Sequence, residues 1–430
     1  MKKLFPVILA SLIFAVIPLG CAKNDEKTDM TYLSQTYFYV MNTDARLVVY
    51  DYFKKNGENN GELIQKFNNL CEDVHGLIYG LEEELSANIP TSCIGRFNAA
   101  AAGEEVEISC HTYEILDISK RIFTLTEGYY NPAVYYSVSA YGFGGTAEKF
   151  PESAAELPSD GEISKYVELS SHFGELELKS HDDKYYAVKP SHTVEVNGKV
   201  LSMKIDLGGV AKGYTADRVN DLIKDYGFGY GFFDFGLSSV AFLKFNDKTP
   251  TFDLQLSNPR RSSSSDPSIY FQTSVMDECV SSSGDNINYF ILDIAGEEKR
   301  FCHIFDPTTG KPVQTGIMTA TVIGGSAAEN DALTTAIMAM GSERAISFIE
   351  EKLSDRRVVF AFSQDKTFGL YANMDKGTYT VLDSRYVGGN ALSAADIAAI
   401  IIACTVFAGF IVFFIVRKRK KYLPENKNVS

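Results

Sequence analysis

The chain has 430 residues, 45% of them hydrophobic and 22% charged, a composition typical of a globular protein. Its formal net charge of −14 argues against a nucleic-acid partner, because phosphate binding requires a positively charged surface. The seven cysteines do not form a disulfide framework in a chain of this length, and none are spaced as the CxxC pair of a zinc site.

The N-terminus predicts a secretory signal. A short basic start precedes an apolar run, residues 4–19, which is too short for a comfortable transmembrane helix. The run ends at Cys21 in a context similar to a lipoprotein processing site, so we expect a signal peptide over residues 1–21 and a lipid on Cys21. One position of that motif is displaced, and simple cleavage or an uncleaved anchor is the alternative. Residues 22–36 are expected to form a tether.

The C-terminus predicts a membrane anchor. Residues 397–416 contain no charged side chain and are long enough to span a hydrocarbon core of ~30 Å. The basic cluster that follows at residues 417–421 favours a cytoplasmic tail, residues 417–430, and a catalytic domain outside the cytoplasm at the cell membrane. A buried helix of a soluble protein is the alternative. Residues 386–396 are the expected linker.

Residues 37–385 are expected to form the main domain, with strands and helices in two lobes. Clusters of strands separate from helices favour an α+β fold over a regular βαβ alternation. In chain order, the patterns predict a strand at 37–50, helices at 63–85 and 112–125, a surface loop at 150–165, short strands at 166–200, a strand-to-helix turn at 204–225, strands at 230–277, a strand at 318–324, and helices at 332–340 and 343–353.

The segment from Asp206 to Lys212 is the first candidate site. Gly208 and Gly209 allow the backbone to turn tightly between a strand and a helix, so that backbone groups and a helix N-terminus face an anion, with Lys212 adding a full charge. A plain strand–turn–helix whose Asp206 and Lys212 face solvent explains the same residues equally well.

The start of a late helix is the second candidate. Asp331 and Thr335 are four residues apart, hence on one helix face, where a carboxylate and a hydroxyl can hold a hard cation such as Mg²⁺. Asp331 as a simple helix cap is the competing interpretation. Two turns add weaker signals: His303 precedes a DPTTG turn, and the hydroxyl-rich segment 281–285 could bind phosphate or form an ordinary turn.

Taken in order, these segments resemble the ApbE family of FAD:protein FMN transferases over nearly all of residues 37–353. Further matching motifs are Met41-Asn42-Thr43, Leu85-Ser86, Ser92, Asn98, Thr126 to Pro132 and Tyr141 to Gly144. The resemblance implies an ApbE-like fold, FAD as substrate and Mg²⁺ as cofactor. It also implies that FMN passes to a Thr or Ser hydroxyl of an exported or membrane-bound redox protein while AMP leaves.

The resemblance also implies roles for individual residues. The flavin site would contain Met41, Tyr129, Tyr130, Asn131, Asp206, Lys212, His303 and Ile304. The metal ligands would be Gly209, Asp331, Thr334 and Thr335, and the catalytic candidates are His303, Asp306 and Lys212. Departures from the family pattern are Asn88, Asn131, Leu237 and Ser282. An FAD pyrophosphatase that yields FMN and AMP, and a non-catalytic flavin-binding lipoprotein, are the alternative functions.

Overall fold

The computed structural model describes residues 28–386, without 55–59, 145–148, 245–249 and 365–366. The expected signal peptide, the first part of the tether, nearly all of the linker, the membrane helix and the basic tail lie outside the described residues. Among the helices that are described, none is both long and apolar enough to cross a bilayer.

In the described part of the chain, the helices are α1 (Asn60–Leu85), α2 (Cys93–Ala99), α3 (Cys110–Leu125), α4 (Tyr135–Ala140), α5 (Asp160–Ser170), α6 (Ala211–Asp225), α7 (Ala327–Met340) and α8 (Ser342–Lys352). Short 3₁₀ turns cover Pro132–Val134, Ala154–Glu156 and Ser171–Glu175.

The strands are β1 (Thr28–Val40), β2 (Thr43–Lys54), β3 (Glu105–Ile108), β4 (Glu177–His181), β5 (Lys184–Val188), β6 (Thr193–Val196), β7 (Lys199–Ser202), β8 (Gly231–Phe235), β9 (Ser239–Leu243), β10 (Phe252–Ser257), β11 (Ile269–Val275), β12 (Cys279–Gly284), β13 (Tyr289–Ile294), β14 (Glu297–Cys302), β15 (Phe305–Asp306), β16 (Lys311–Pro312), β17 (Ile317–Ile323), β18 (Arg357–Gln364), β19 (Thr367–Ala372) and β20 (Tyr379–Val381).

An eight-stranded antiparallel sheet organises the molecule, with the order β1-β2-β8-β9-β12-β17-β18-β19. Successive side chains of a strand point to opposite faces, and in β9 both sets are apolar. Val240 and Phe242 pack in one core, whereas Ala241 and Leu243 pack in another. The sheet is therefore covered on both faces at its centre.

Helices α1, α6 and α7 cover one face of this sheet, and the small sheet β10-β11-β20 covers the other. The contact between α6 and α7 is unusually close at Gly213. A Cβ atom at this position would lie 2.2 Å from the carbonyl oxygen of Ala327, so a larger residue would force the helices apart. This approach brings the first turn of α6 against the first two turns of α7.

The α+β class is confirmed, but three segments differ in structure from the sequence prediction. Residues 150–165, expected as a surface loop, contain the start of α5, which is fixed by a capping box between Ser159 and Glu162. The short strands expected from residue 166 begin only at Glu177, because α5 and a 3₁₀ turn come first. Residues 28–36, assigned to the tether, pair with β2 as the beginning of β1, where Leu33 packs against the core under α1.

Candidate functional site

Asp331 lies in the second turn of α7 and is not its cap. Helix α7 begins five residues earlier than expected, at Ala327, and Ser326 caps it by accepting a hydrogen bond from the N–H of Glu329 at 3.2 Å. Asp331 is only 4% exposed, and its Oδ2 accepts a hydrogen bond from the N–H of Gly213 at 3.1 Å. The capping interpretation of Asp331 is therefore wrong.

The Asp331 carboxylate is only partly satisfied. Burial raises its pKa to about 6, while Lys212 and the N–H of Gly213 oppose this rise. Among the described residues, no donor reaches the second oxygen, Oδ1. A buried carboxylate with a free oxygen is the kind of group that a bound cation would stabilise.

The glycine turn before α6 faces this carboxylate. The backbone of Gly209 lies between two side chains, because a Cβ atom built on it would be 3.4 Å from Oγ1 of Thr335 and 3.6 Å from Cε2 of Tyr130. Within the described residues, no donor bonds to the carbonyl oxygen of Gly209. Oxygens of Asp331, Thr335 and Gly209 thus lie along the contact between α6 with its preceding turn and α7, and all are hard donors.

Asp206 and Lys212 frame the same turn. The segment before Asp206 is extended but belongs to no sheet, and Asp206 folds its carboxylate back to accept the N–H of Gly208 at 2.8 Å. Burial raises the pKa of Asp206, while Gly208 and Lys212 act in the opposite direction. Lys212 is half-buried and makes no ion pair or hydrogen bond with the described residues, so its ammonium is available to a ligand.

Tyr130 is enclosed between the two acids. Its hydroxyl is 3.3 Å from that of Ser119, and burial raises its pKa, with the charges of Asp331 and Asp206 adding to the effect. The phenol therefore stays neutral and forms an apolar wall beside the glycine turn.

His303 lies between β14 and β15. Its Nδ1 is 3.2 Å from the carbonyl oxygen of Asn288, which can only accept, so the proton resides on Nδ1 and Nε2 carries a free lone pair. The residue as a whole is exposed, while desolvation of the imidazole by the protein atoms around it lowers the pKa of His303 below its usual range, and Lys212 acts in the same sense. His303 is therefore a neutral imidazole that can accept a proton at Nε2.

Met41 borders this region from the β1–β2 turn. Its backbone is in the left-handed region, with φ of 47°, and its N–H donates to Oε1 of Glu82 at 2.9 Å. Its sulfur lies 4.0 Å from Oγ1 of Thr215, one turn after the start of α6. The first hairpin of the main sheet thus reaches the helix that carries Lys212.

Two of the expected flavin contacts are engaged elsewhere. The ring of Tyr129 stacks under the guanidinium of Arg344 at 4.7 Å. The amide of Asn131 donates to the carbonyl of Ser170 at 3.0 Å and accepts the N–H of Ala133 at 2.9 Å. Asn131 therefore caps the 3₁₀ turn that carries the chain back towards α4.

Three other candidates have internal partners. Oγ1 of Thr334 is buried and lies 2.8 Å from Oγ of Ser283. Ile304 is buried in the apolar core, whereas the preceding residue, His303, is exposed. Oδ1 of Asp306 accepts both the N–H and the hydroxyl of Thr308, at 2.8 and 2.7 Å, and so stabilises the DPTTG turn.

Two residues that support Asp206 were given no role from the sequence, although Asn98 is among the matching motifs. The buried Asn98 amide bonds the N–H and the carbonyl of Ile205 at 2.8 and 2.9 Å, in place of a neighbouring strand. Lys189 is 1% exposed, and its ammonium donates to three carbonyls at the end of α2, including that of Asn98. Burial lowers the pKa of Lys189 to about 8. Neither contact could be predicted, since both join residues about a hundred positions apart.

The fold and the site together define a class of protein: an α+β protein in which a buried carboxylate on one helix faces a glycine turn and a free lysine on another. The model of the ApbE family matches residues 41–360. The chain belongs to the ApbE family.

Characterised relatives agree with this assignment. The chain is 25% identical over 287 residues to the FAD:protein FMN transferase of Vibrio cholerae, covering 65% of this chain and 76% of that one. It is 25% identical over 323 residues to the enzyme of the same name from Treponema pallidum, covering 74% and 83%. The structure of the flavin transferase ApbE from Vibrio cholerae superposes with a TM-score of 0.61 at 22% identity, over 80% of this chain and 97% of that chain, which shows a common fold.

Proposed function

We propose that this protein is an FAD:protein FMN transferase, which moves FMN from FAD to a Thr or Ser hydroxyl of an exported or membrane-bound redox protein and releases AMP. The family match and relatives of that name support this. The observation that carries the proposal is the partly satisfied carboxylate of Asp331, which lies against the turn at Gly209 and near the unpaired Lys212.

The oxygens around Asp331 fit Mg²⁺. Asp331 offers a free carboxylate oxygen, Thr335 a hydroxyl and Gly209 a free carbonyl, and these are the ligands that this ion prefers. The described residues contain no cluster of three or more His, Cys, Asp or Glu side chains suited to a metal, so water and substrate phosphate would complete the coordination. Thr334 is expected to contribute its backbone oxygen, and its hydroxyl is held inside the protein by Asp331 and Ser283. When bound, the ion would neutralise charge on the phosphates of FAD.

Residues of the chain supply positioning and charge. Lys212, which has no partner among the described residues, would bind a phosphate oxygen, and the Gly208–Gly209 turn would allow the backbone to approach it closely. Tyr130 would exclude water from one side. Asp206 would be held in place by Asn98 through the adjacent Ile205.

The transfer exchanges one phosphorus–oxygen bond for another. The acceptor hydroxyl oxygen attacks the FMN-side phosphorus of FAD, and the bond to the AMP phosphate oxygen breaks, so AMP leaves with the electron pair. The hydroxyl proton passes to Nε2 of His303, whose lone pair is free because Nδ1 donates to Asn288. Asp306 would act on His303 indirectly, by stabilising the turn that follows it.

The test is to incubate the full-length chain in a non-ionic detergent with FAD, Mg²⁺ and candidate redox acceptors. An acceptor mass increased by one esterified FMN, with an equal amount of AMP, is the expected result. Release of FMN and AMP without modification of any acceptor would identify a pyrophosphatase instead. Tight FAD binding without AMP release under Mg²⁺ would identify a flavin-binding protein. A second experiment tests the two expected membrane attachments, a lipid on Cys21 and a helix at residues 397–416. Both would place the enzyme beside exported acceptors. Membrane fractionation of C21S, and of a chain that ends at residue 396, measures the contribution of each.

A further inference from the structure

Two cavities lie on the side of α6 that carries Arg218 and Asp221, and none of the proposed flavin or metal residues lines them. The larger, of about 630 Å³, is enclosed by α3, α6, the start of α7 and the segment before β12. The smaller, of about 480 Å³, lies between α1 and α6. Arg218 and Asp221 line both cavities and are paired at 3.1 Å, so the cavities form two halves of one groove on either side of this ion pair.

The groove is strongly acidic. The larger cavity is lined by seven carboxylates and three Lys or Arg side chains, and the smaller adds three further carboxylates but no further Lys or Arg. Several of these acids are already engaged: Asp217, for example, accepts two backbone N–H groups. Glu72, Asp225 and Asp277 make no ion pair with the described residues, and Lys224 is the one cation of the groove that makes none. A negative charge excess therefore remains for a ligand to neutralise.

A buried amide shows that the groove lacks a polar partner. Asn220 is only 8% exposed, lines the larger cavity, and makes no hydrogen bond with the described residues; its Oδ1 is fully buried without a partner. Nε of Arg218, two residues earlier in α6, is also buried and unpartnered, although the guanidinium pairs with Glu114 and Asp221 through its other two nitrogens. An unpaired buried amide destabilises a protein, so Asn220 indicates a site that is completed by a ligand.

An asparagine amide is complementary to an extended peptide backbone, because it offers one donor and one acceptor side by side. Asn98 makes this pair of bonds to the N–H and carbonyl of Ile205 in the same molecule. Because one polar atom of the Asn220 amide is fully buried, the other is the one that can bond to a peptide in the cavity, and a flip of the amide exchanges the two. Together with the excess of carboxylates, this defines the ligand as an extended segment with lysine or arginine side chains.

We propose that this groove binds a basic, extended peptide segment of a partner protein, at a site separate from that of flavin transfer. The backbone of the segment would pair with Asn220, and its cationic side chains would lie on either side of the Arg218–Asp221 pair, near Asp277 and Glu72. The inference does not depend on the transfer activity, and the binding is measured in the absence of FAD.

The experiment is a fluorescence-anisotropy titration of the full-length chain, in a non-ionic detergent, with a short labelled peptide of alternating lysine and alanine. D277N and E72Q should each weaken binding about threefold, and K224E should strengthen it about fivefold, since each changes a charge that is exposed to water. The three positions are exposed, so the substitutions should leave the protein folded. N220L replaces the amide with an apolar group of the same number of heavy atoms and should weaken binding of the peptide at constant charge.

The control is D182N, which removes the same charge at a site that is 99% exposed and outside the groove. It should leave the affinity unchanged, and a glutamate–alanine peptide should not bind. If D182N weakens binding as much as D277N, the attraction is the general one expected of an acidic protein, and the proposal is wrong. It is equally wrong if K224E has no effect. If N220L does not fold, the three exposed variants decide the matter alone.

Discussion

Two carboxylates near the start of α7, the half-buried Asp217 and the buried Asp331, have different environments. Asp217, on α6, accepts the N–H groups of Ala327 and Ala328 at 2.8 and 2.9 Å, together with the thiol of Cys279 at 3.5 Å. Asp331, four residues after Ala327, accepts one N–H and keeps an oxygen free. Burial raises the pKa of both acids.

The comparison separates a structural acid from a functional one. At Asp217 the protein's own donors offset the cost of burying a charge, and the carboxylate joins α6 to the first turn of α7. At Asp331 this offset is incomplete, because one N–H is the only donor that reaches its carboxylate among the described residues; under the proposed function a cation would supply the rest. Burial raises the pKa of both acids, and the number of donors distinguishes them. The variants below test this distinction, beginning with the largest expected effect.

D331N is expected to reduce FMN transfer at least about a thousandfold, because the amide cannot replace a charged ligand of the ion. The amide oxygen can still accept the N–H of Gly213, and the buried charge disappears, so the thermal unfolding midpoint without Mg²⁺ should stay the same or rise. Initial rates of acceptor labelling and a thermal melt measure the two effects. Undiminished turnover in this variant would remove the metal assignment.

D217N should behave in the opposite way. The asparagine leaves at least one N–H of the first turn of α7 buried without an acceptor, which costs about 1–3 kcal/mol of stability. The transfer rate of the folded protein, measured well below its unfolding midpoint, should stay close to that of the wild type because Asp217 faces away from Lys212. A wild-type melting curve combined with lost activity would mean that the roles of the two acids are reversed.

The sequence was informative where the relevant residues are near one another in the chain. The spacing of Asp331 and Thr335 predicted a shared helix face, and the glycines at 208 and 209 predicted the turn that faces them. The start of α7 was misplaced because Ser326, the true cap, is not followed by the apolar pattern of an amphipathic helix. This helix is buried almost all round, and its apolar residues show no clear period.

The number of donors to each acid could not be predicted. Asp217 receives its hydrogen bonds from residues 110 and 111 positions away, and the contact between Gly213 and Asp331 spans 118. Only the folded chain shows that Gly213 permits the close helix contact on which both depend. The sequence thus identified the residue types of the site, while the division into structural and functional acids comes from long-range packing.

H303Q tests whether the free lone pair at the edge of the site is used. Glutamine can still reach a carbonyl but cannot accept a proton near neutral pH, so we expect kcat to fall about a hundredfold with little change in KM for FAD. Because its surroundings lower the pKa of His303, the imidazole stays neutral, and the wild-type rate at saturating Mg²⁺ should persist at pH values below the ordinary pKa of histidine.

The lowered pKa also affects stability, because protonation of His303 then opposes folding. The free energy of unfolding should fall as the pH decreases from the ordinary histidine pKa towards the lowered one. H303Q should reduce that loss, whereas an unchanged rate in the variant would exclude the histidine as base.

S326A is expected to have the smallest effect and to sharpen the comparison between the two acids. It removes the side-chain cap of α7, whose contribution is about 1 kcal/mol, and so should lower the midpoint of thermal unfolding by about 2 °C. The effect should be smaller than that of D217N, because Asp217 still binds two N–H groups of the first turn while Ser326 binds only that of Glu329.

The double variant S326A/D217N should lose more stability than the two single variants lose together, since neither side chain then covers the helix end. A double-variant cycle by thermal melt measures this excess. Strict additivity would mean that the two caps act independently, and that Asp217 holds α7 in place by its contact with α6 alone.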